Sequence, residues 1–222
     1  MDILEAIDAR HSVRRYDGIP ISDADAEALL CEIAECNRES GLNIQLVRGE
    51  EKAFGGRMAH YGEFSGVRDY IVLIGRRGAD LGEKCGYYGE RLVLLAQTLG
   101  LNTCWVGLTY SKVRSSYTVR KGEKLLLVIA VGHGETAGRA RKSKTREQVS
   151  RAEGAPPDWF TRGVDAALKA PTALNQQKFM FALRGNKVTA TTSPGFFVKT
   201  DLGIAKLHFE LGAGKENFTW AK

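Results

Sequence analysis

The chain has 222 residues, of which 43% are hydrophobic and 26% charged, with a net charge of +6. It reads as a globular protein able to bury one substantial core, in one or two compact domains. No apolar run approaches the roughly 20 residues of a membrane span. Met1 to Glu5 also lacks the basic region and long apolar stretch of a secretory signal, so the expected compartment is the cytoplasm, with no membrane partner.

In chain order, Ile3, Leu4 and Ile7 predict a short helix running into the turn Arg10-His11-Ser12. Ser22 or Asp23 can cap the next helix, where Ala26, Leu29, Leu30, Ile33 and Ala34 recur at helical spacing. A strand over Asn43–Val47 precedes a turn at Arg48-Gly49-Glu50, and a helix follows around Ala53–Tyr61. The apolar run Tyr70–Ile74 reads as a buried strand. Gly86–Leu99 reads as a helix with Leu92, Leu95, Ala96 and Leu99 on one face, stopped by Gly100. Buried strands are expected at Cys104–Val106 and Leu125–Val131, which lack the alternation of a half-exposed strand. Trp105 is accordingly expected in the core. Cys31, Cys36, Cys85 and Cys104 lack zinc spacing and read as buried free thiols; Cys31 and Cys36 lie about 140° apart around a helix.

Glu153-Gly154-Ala155-Pro156-Pro157 is the expected linker, dividing the chain into residues 1–152 and 153–222. Beyond it come a helix to about Lys169, a strand Lys178–Leu183, a turn Arg184-Gly185-Asn186, a strand Lys187–Thr191 and a helix near Asp201–Leu211. Leu46-Val47-Arg48-Gly49 and Ala182-Leu183-Arg184-Gly185 suggest a weak internal repeat, with a shortened second copy at the C-terminus.

Gly132-His133-Gly134-Glu135-Thr136-Ala137 satisfies a dinucleotide-turn pattern, but the segment after it is basic and nearly without apolar residues, so it cannot open the required amphipathic helix. His11, His60, His133 and His208 show no metal spacing, and no metal is expected. Arg139, Arg141, Lys142, Lys144 and Arg146 fall within eight residues and suit an anion. A basic nucleic-acid-binding domain is one reading of them, disfavoured by the lack of interleaved aromatics; a solvated loop is another. Arg10, Ser12 and Arg14 alternate, so an extended backbone points all three to one side, an arrangement suited to a phosphate and a neighbouring anionic ring.

Arg10-His11-Ser12-Val13-Arg14-Arg15-Tyr16 resembles the phosphate and flavin-edge motif of the FMN-dependent nitroreductase family. Gly89–Gly107 resembles the family's long helix and following strand, and Leu127–Gly132 with the basic residues behind it its C-terminal phosphate segment. Ala170-Pro171-Thr172-Ala173-Leu174-Asn175-Gln176-Gln177 is similar to its Ala-Pro-Ser loop, with Lys178 and Phe179 replacing a proline and a tryptophan. That loop normally comes early and reaches the partner subunit's flavin site. Here Asn37–Gly41 stand at the early place, as in a smaller subgroup of the family.

The resemblance implies an α+β nitroreductase-like fold, a central mixed sheet flanked by helices, with the C-terminal part completing one flavin site per chain as a monomeric pseudo-dimer or a homodimer. It implies FMN as cofactor, NADH or NADPH as co-substrate and a nitroaromatic, quinone or similar small-molecule electron acceptor, used in alternation. Arg10 and Ser12, with His11 between them, would hold the phosphate, joined by Arg141 and by Lys142 or Arg139. Arg14 would lie at the N1 and O2 edge of the ring. The backbone of Gly107 or Leu108 would approach N5, and Pro171, Thr172, Asn175 and Gln177 would cover the ring. Flavin N5 carries the chemistry, so no catalytic side chain is assigned. The departures at Lys178 and in the early loop leave open a flavin-binding or flavin-remodelling protein without general reductase activity.

Overall fold

In the computed structural model, which describes residues 1–221, the apolar run Tyr70–Ile74 pairs with the longer run Leu125–Val131. Strand β2 (Asp69–Arg76) lies antiparallel to β4 (Glu123–Gly132), with Tyr70 opposite Ala130 and Val72 opposite Val128. β1 (Gln45–Val47) flanks β2 and β3 (Asn102–Val106) flanks β4, both antiparallel, giving the order β1-β2-β4-β3. Parallel pairing reaches this sheet through the single bridge Ser12–Thr103. The missing alternation is explained by burial on both faces. Tyr70, Val72 and Ile74 pack with Phe54, Phe64 and Val128 on one side, while Ile71 and Leu73, pointing the other way, are also fully buried.

Helix α1 covers Ile3–Ala9 and α2 covers Asp23–Ser40. Ser22 caps α2, its side chain accepting from the Asp25 amide at 3.1 Å, and Gly41 ends it in the left-handed region. Helix α3 is only Arg57–Tyr61, shorter than expected, because Glu50 accepts from the amides of Lys52 and Ala53 and holds that stretch as a turn. Helix α4 runs Leu81–Thr98, five residues longer at its start than the sequence suggested.

Later in the chain, β5 (Ser150–Ala152), β6 (Phe179–Arg184), β7 (Lys187–Thr192) and β8 (Thr219–Trp220) form a second sheet in that order. Its central pair is an antiparallel hairpin through Gly185-Asn186, and its outer pairs are parallel. A short helix, α5 (Arg146–Val149), precedes β5. Helix α6 (Asp158–Leu168) packs on α7 (Val198–Ala213), and Phe209 of α7 stacks on Phe181 at 4.6 Å. The matched segments Leu46–Gly49 and Ala182–Gly185 thus end an edge strand in one sheet and a central strand in the other, so the two sheets do not repeat one another's pairing.

Contacts group the chain into two compact units, one of Ala9–Leu81 with Leu92–Ala140, the other of Asp2–Asp8, Gly82–Arg91 and the chain from Arg141 onward. That grouping departs from a single break at 152/153. Among the described residues no helix is long and apolar enough to cross a membrane. All four cysteines are free, but Cys31 is exposed on α2 rather than buried, since it falls on the helix's outer face. Trp105 is half-buried rather than in the core.

Candidate functional site

The segment after α1 leaves the helix extended and lies along β3. Val13 N–H donates to Thr103 O at 3.0 Å, and Ser12 pairs with Thr103 as a parallel bridge. The same arm is held from two further sides. Tyr16 N–H donates to Ser65 O and Ser65 N–H to Arg14 O, at 3.0 and 3.1 Å; Asp17 N–H donates to His133 O and Glu135 N–H to Arg15 O, both at 3.0 Å. Tyr16 is buried, and its hydroxyl closes the arm by donating to Val13 O at 2.8 Å. Five residues that could have formed a loose loop are therefore fixed by backbone pairing on three sides.

Arg10 is 3% exposed, Ser12 half-buried and Arg14 exposed, with the Arg14 guanidinium 6.0 Å from the Phe64 ring centre. All three act on Cys104. Burial pushes its thiol up, while Arg14, a hydrogen bond from Ser12 and Arg10 pull it down. The net upward shift keeps the thiol protonated and unreactive.

His11 is half-buried, and its Cβ lies 2.6 Å from where a Cβ on Gly138 would stand, so the loop after β4 packs closely on the arm. Arg139 is exposed at the end of that loop. Gly107 follows β3 directly and is half-exposed, and Leu108 beside it is 68% exposed. Within this first unit the structure therefore brings Arg10, His11, Ser12 and Arg14 together along β3. Cys104, Phe64 and the Ser65-Gly66 turn complete those surroundings; no local pattern announces the last two.

The second unit holds the remaining residues, and it uses some of them internally. Gln177 is 1% exposed: its Oε1 accepts from Lys144 N–H at 2.7 Å, and its Nε2 donates to Ser143 Oγ at 3.1 Å and Leu168 O at 3.2 Å. Its amide thus fastens the 143–144 segment to the end of α6. Arg141 donates to Lys169 O and, at 3.1 Å, to Ala170 O, satisfying carbonyls at that helix end. Pro171 is buried, Thr172 is half-buried and its Oγ1 accepts from Gln177 N–H, and exposed Asn175 donates to Lys142 O at 2.8 Å. Leu174, Asn175 and Gln177 all have positive φ, and Leu174 is 93% exposed.

Of the five clustered cations, Arg141 and Lys144 are engaged with backbone carbonyls and Arg146 pairs with Asp165 at 2.5 and 2.7 Å. The run is thus largely structural, which disfavours the nucleic-acid reading. Phe179, at the place of the family tryptophan, is buried against Phe181, and Lys178 donates to Pro194 O at 2.7 Å. Among the described residues, no group of three or more His, Cys, Asp or Glu is placed to hold a metal ion.

The sequence model of the family described as "Putative TM nitroreductase" matches residues 2–213. The chain belongs to this nitroreductase family. Among solved structures, a "putative nitroreductase" from Thermotoga maritima has a TM-score of 0.66 at 20% identity, covering 97% of this chain and 85% of that one. A "putative nitroreductase in complex with FMN" from Exiguobacterium sibiricum has a TM-score of 0.54 at 15% identity, covering 67% and 95%. A "putative NADH dehydrogenase/NAD(P)H nitroreductase" from Parabacteroides distasonis has a TM-score of 0.53 at 22% identity, covering 66% and 95%. At these identities the structures establish a shared nitroreductase fold. No curated protein matches the chain.

Proposed function

We propose that this nitroreductase-family protein is an FMN-dependent oxidoreductase that takes a hydride from NADH or NADPH and delivers it to a nitroaromatic, quinone or similar small acceptor. The observation that carries the reading is the arm fixed on β3 by backbone pairing, which bears Arg10, Ser12 and Arg14 within five residues. Two guanidiniums and a hydroxyl offer donors suited to a phosphate and to the electron-rich edge of a flavin. Support also comes from the fold relative solved with FMN.

When bound, FMN supplies hydride acceptance and donation at N5. The chain's own part is to bind and orient. Buried Arg10 and half-buried Ser12 are assigned to the phosphate, with Arg139 adding charge. Exposed Arg14 would offer a cation to the ring edge, where it would stabilise negative charge. Gly107 is assigned to the N5 side, its missing side chain leaving the backbone approachable. Arg141 and Gln177 act as positioning residues for the segments around them.

Arg10→Ala is expected to weaken FMN retention about tenfold or more, the loss of a charge-assisted contact. Unchanged occupancy contradicts the assignment. Stopped-flow mixing of the flavin-loaded protein with NADH or NADPH separates a reductase from a protein that only binds flavin: bleaching supports the reductase, and a stable oxidised spectrum overturns it. A ratio of one flavin per chain is expected, and two contradicts the single-site reading.

A further inference from the structure

We propose that a second pocket, at the far end of β4 from the arginine arm, binds a phosphorylated, ring-bearing small molecule of the nucleotide class. The pocket is concave, about 640 Å³, and Arg77, Lys112, Arg114, Lys124 and Tyr117 line it together with Glu123. That volume falls in the range of small-molecule sites.

Charge is the first argument. Among the described residues the four cations form no ion pair within the protein, although the chain carries 26 acidic residues. The one carboxylate in the lining, Glu123, is already engaged, accepting from Asn43 Nδ2 at 2.9 Å and Arg120 N–H at 2.8 Å. Four like charges around one concavity repel one another, and an anion removes that cost. Two guanidiniums and two ammoniums favour phosphate oxygens over a single carboxylate.

Shape is the second. The wall is built in advance: Thr118 N–H donates to Gln45 Oε1 at 2.9 Å, and its carbonyl accepts from Gln45 Nε2 at 2.8 Å and Asn43 Nδ2 at 3.0 Å. A fixed wall spares a ligand the entropy of ordering it. Half-buried Tyr117 and buried Leu125 add a flat apolar surface for a planar ring.

The pocket is separate from the arginine arm. Ser12 pairs with Thr103, which faces Val131; Lys124 stands seven residues earlier on β4. At ~3.4 Å per residue that is about 24 Å. The inference therefore stands apart from the flavin assignment.

The test is calorimetric titration of the full-length protein with ADP, pyrophosphate and adenosine, with and without added FMN. ADP is expected to bind more tightly than pyrophosphate, with no signal from adenosine. Arg77→Gln combined with Lys124→Gln is expected to weaken ADP about tenfold or more while melting temperature and FMN occupancy stay unchanged. Failure of ADP to bind, wild-type affinity in the double variant, pyrophosphate binding as tightly as ADP, or displacement of FMN by ADP overturns the proposal. Failure of FMN to bind leaves the ADP titration readable and bears only on the flavin reading.

Discussion

The carbonyl oxygen of Tyr16 lies 2.0 Å from the position a Cβ would occupy on Gly66, whose φ is +69°. Only glycine lets the Ser65-Gly66 turn lie against the arm that carries Arg10, Ser12 and Arg14, and the paired hydrogen bonds between Ser65 and the arm depend on that approach.

Gly66→Ala should therefore cost both backbone strain and a backbone clash, more than the ~1 kcal/mol of a strained φ alone. Gly41→Ala is the control, since Gly41 has φ +70° but nothing within 4 Å of its Cβ position. Chemical denaturation should show the larger loss for Gly66→Ala, accompanied by weaker FMN retention. Equal losses would contradict the role given to the turn.

Asp201 provides a pH-dependent link in the second unit. Its Oδ1 accepts from Ala173 N–H at 2.9 Å and its Oδ2 from Gln176 Nε2 at 2.7 Å, and the residue is 4% exposed. Burial raises its carboxyl from 3.8 to about 6, against the pull of the two hydrogen bonds. The folded state thus holds the proton more tightly than the unfolded chain. Its contribution to stability is complete below about pH 4 and is lost as pH rises through about 6, an effect of about 3 kcal/mol. Compared with wild type, Asp201→Asn should show a flatter fall in unfolding free energy across that window; identical slopes would refute the assignment.

His208 and Glu90 form a fully buried pair, with Nε2 2.9 Å from Glu90 Oε1 and Nδ1 3.1 Å from Ala166 O. A carbonyl only accepts, so Nδ1 carries a proton. His208→Ala removes the imidazole from a carboxyl at 0% exposure and should cost about 3–5 kcal/mol. Replacing both residues by leucine should cost less than the sum of the single changes, measured by denaturant unfolding. Additive losses would contradict the coupling.

What could be read from the sequence follows from how local each cause is. The α2 cap at Ser22, the buried β2 run and the Gly185-Asn186 hairpin depend on neighbouring residues, and all appear in the structure. The start of α4 at Leu81 is not legible, because the apolar face that marks the helix, Leu92, Leu95 and Ala96, lies in its C-terminal half. A Cβ on Gly86 would come within 2.0 Å of Thr200 O, so that glycine serves close packing rather than termination. Similarly, α7 begins at Val198 because Phe197 adopts a left-handed conformation that no local pattern announces. At the candidate site, the extended path of the Arg10–Arg14 segment is legible. The internal engagement of Arg141 and Gln177 is not, since Lys169, Lys144 and Ser143 lie 28 to 34 residues from the residue each engages.

The most direct measurement of the central claim is a fluorescence titration of the purified protein with FMN, preceded by its visible absorption spectrum. A yellow protein is expected, or one that takes up FMN to one equivalent per chain, with uptake weakened by Arg10→Ala. A colourless protein that leaves FMN fluorescence unchanged at every concentration would contradict it.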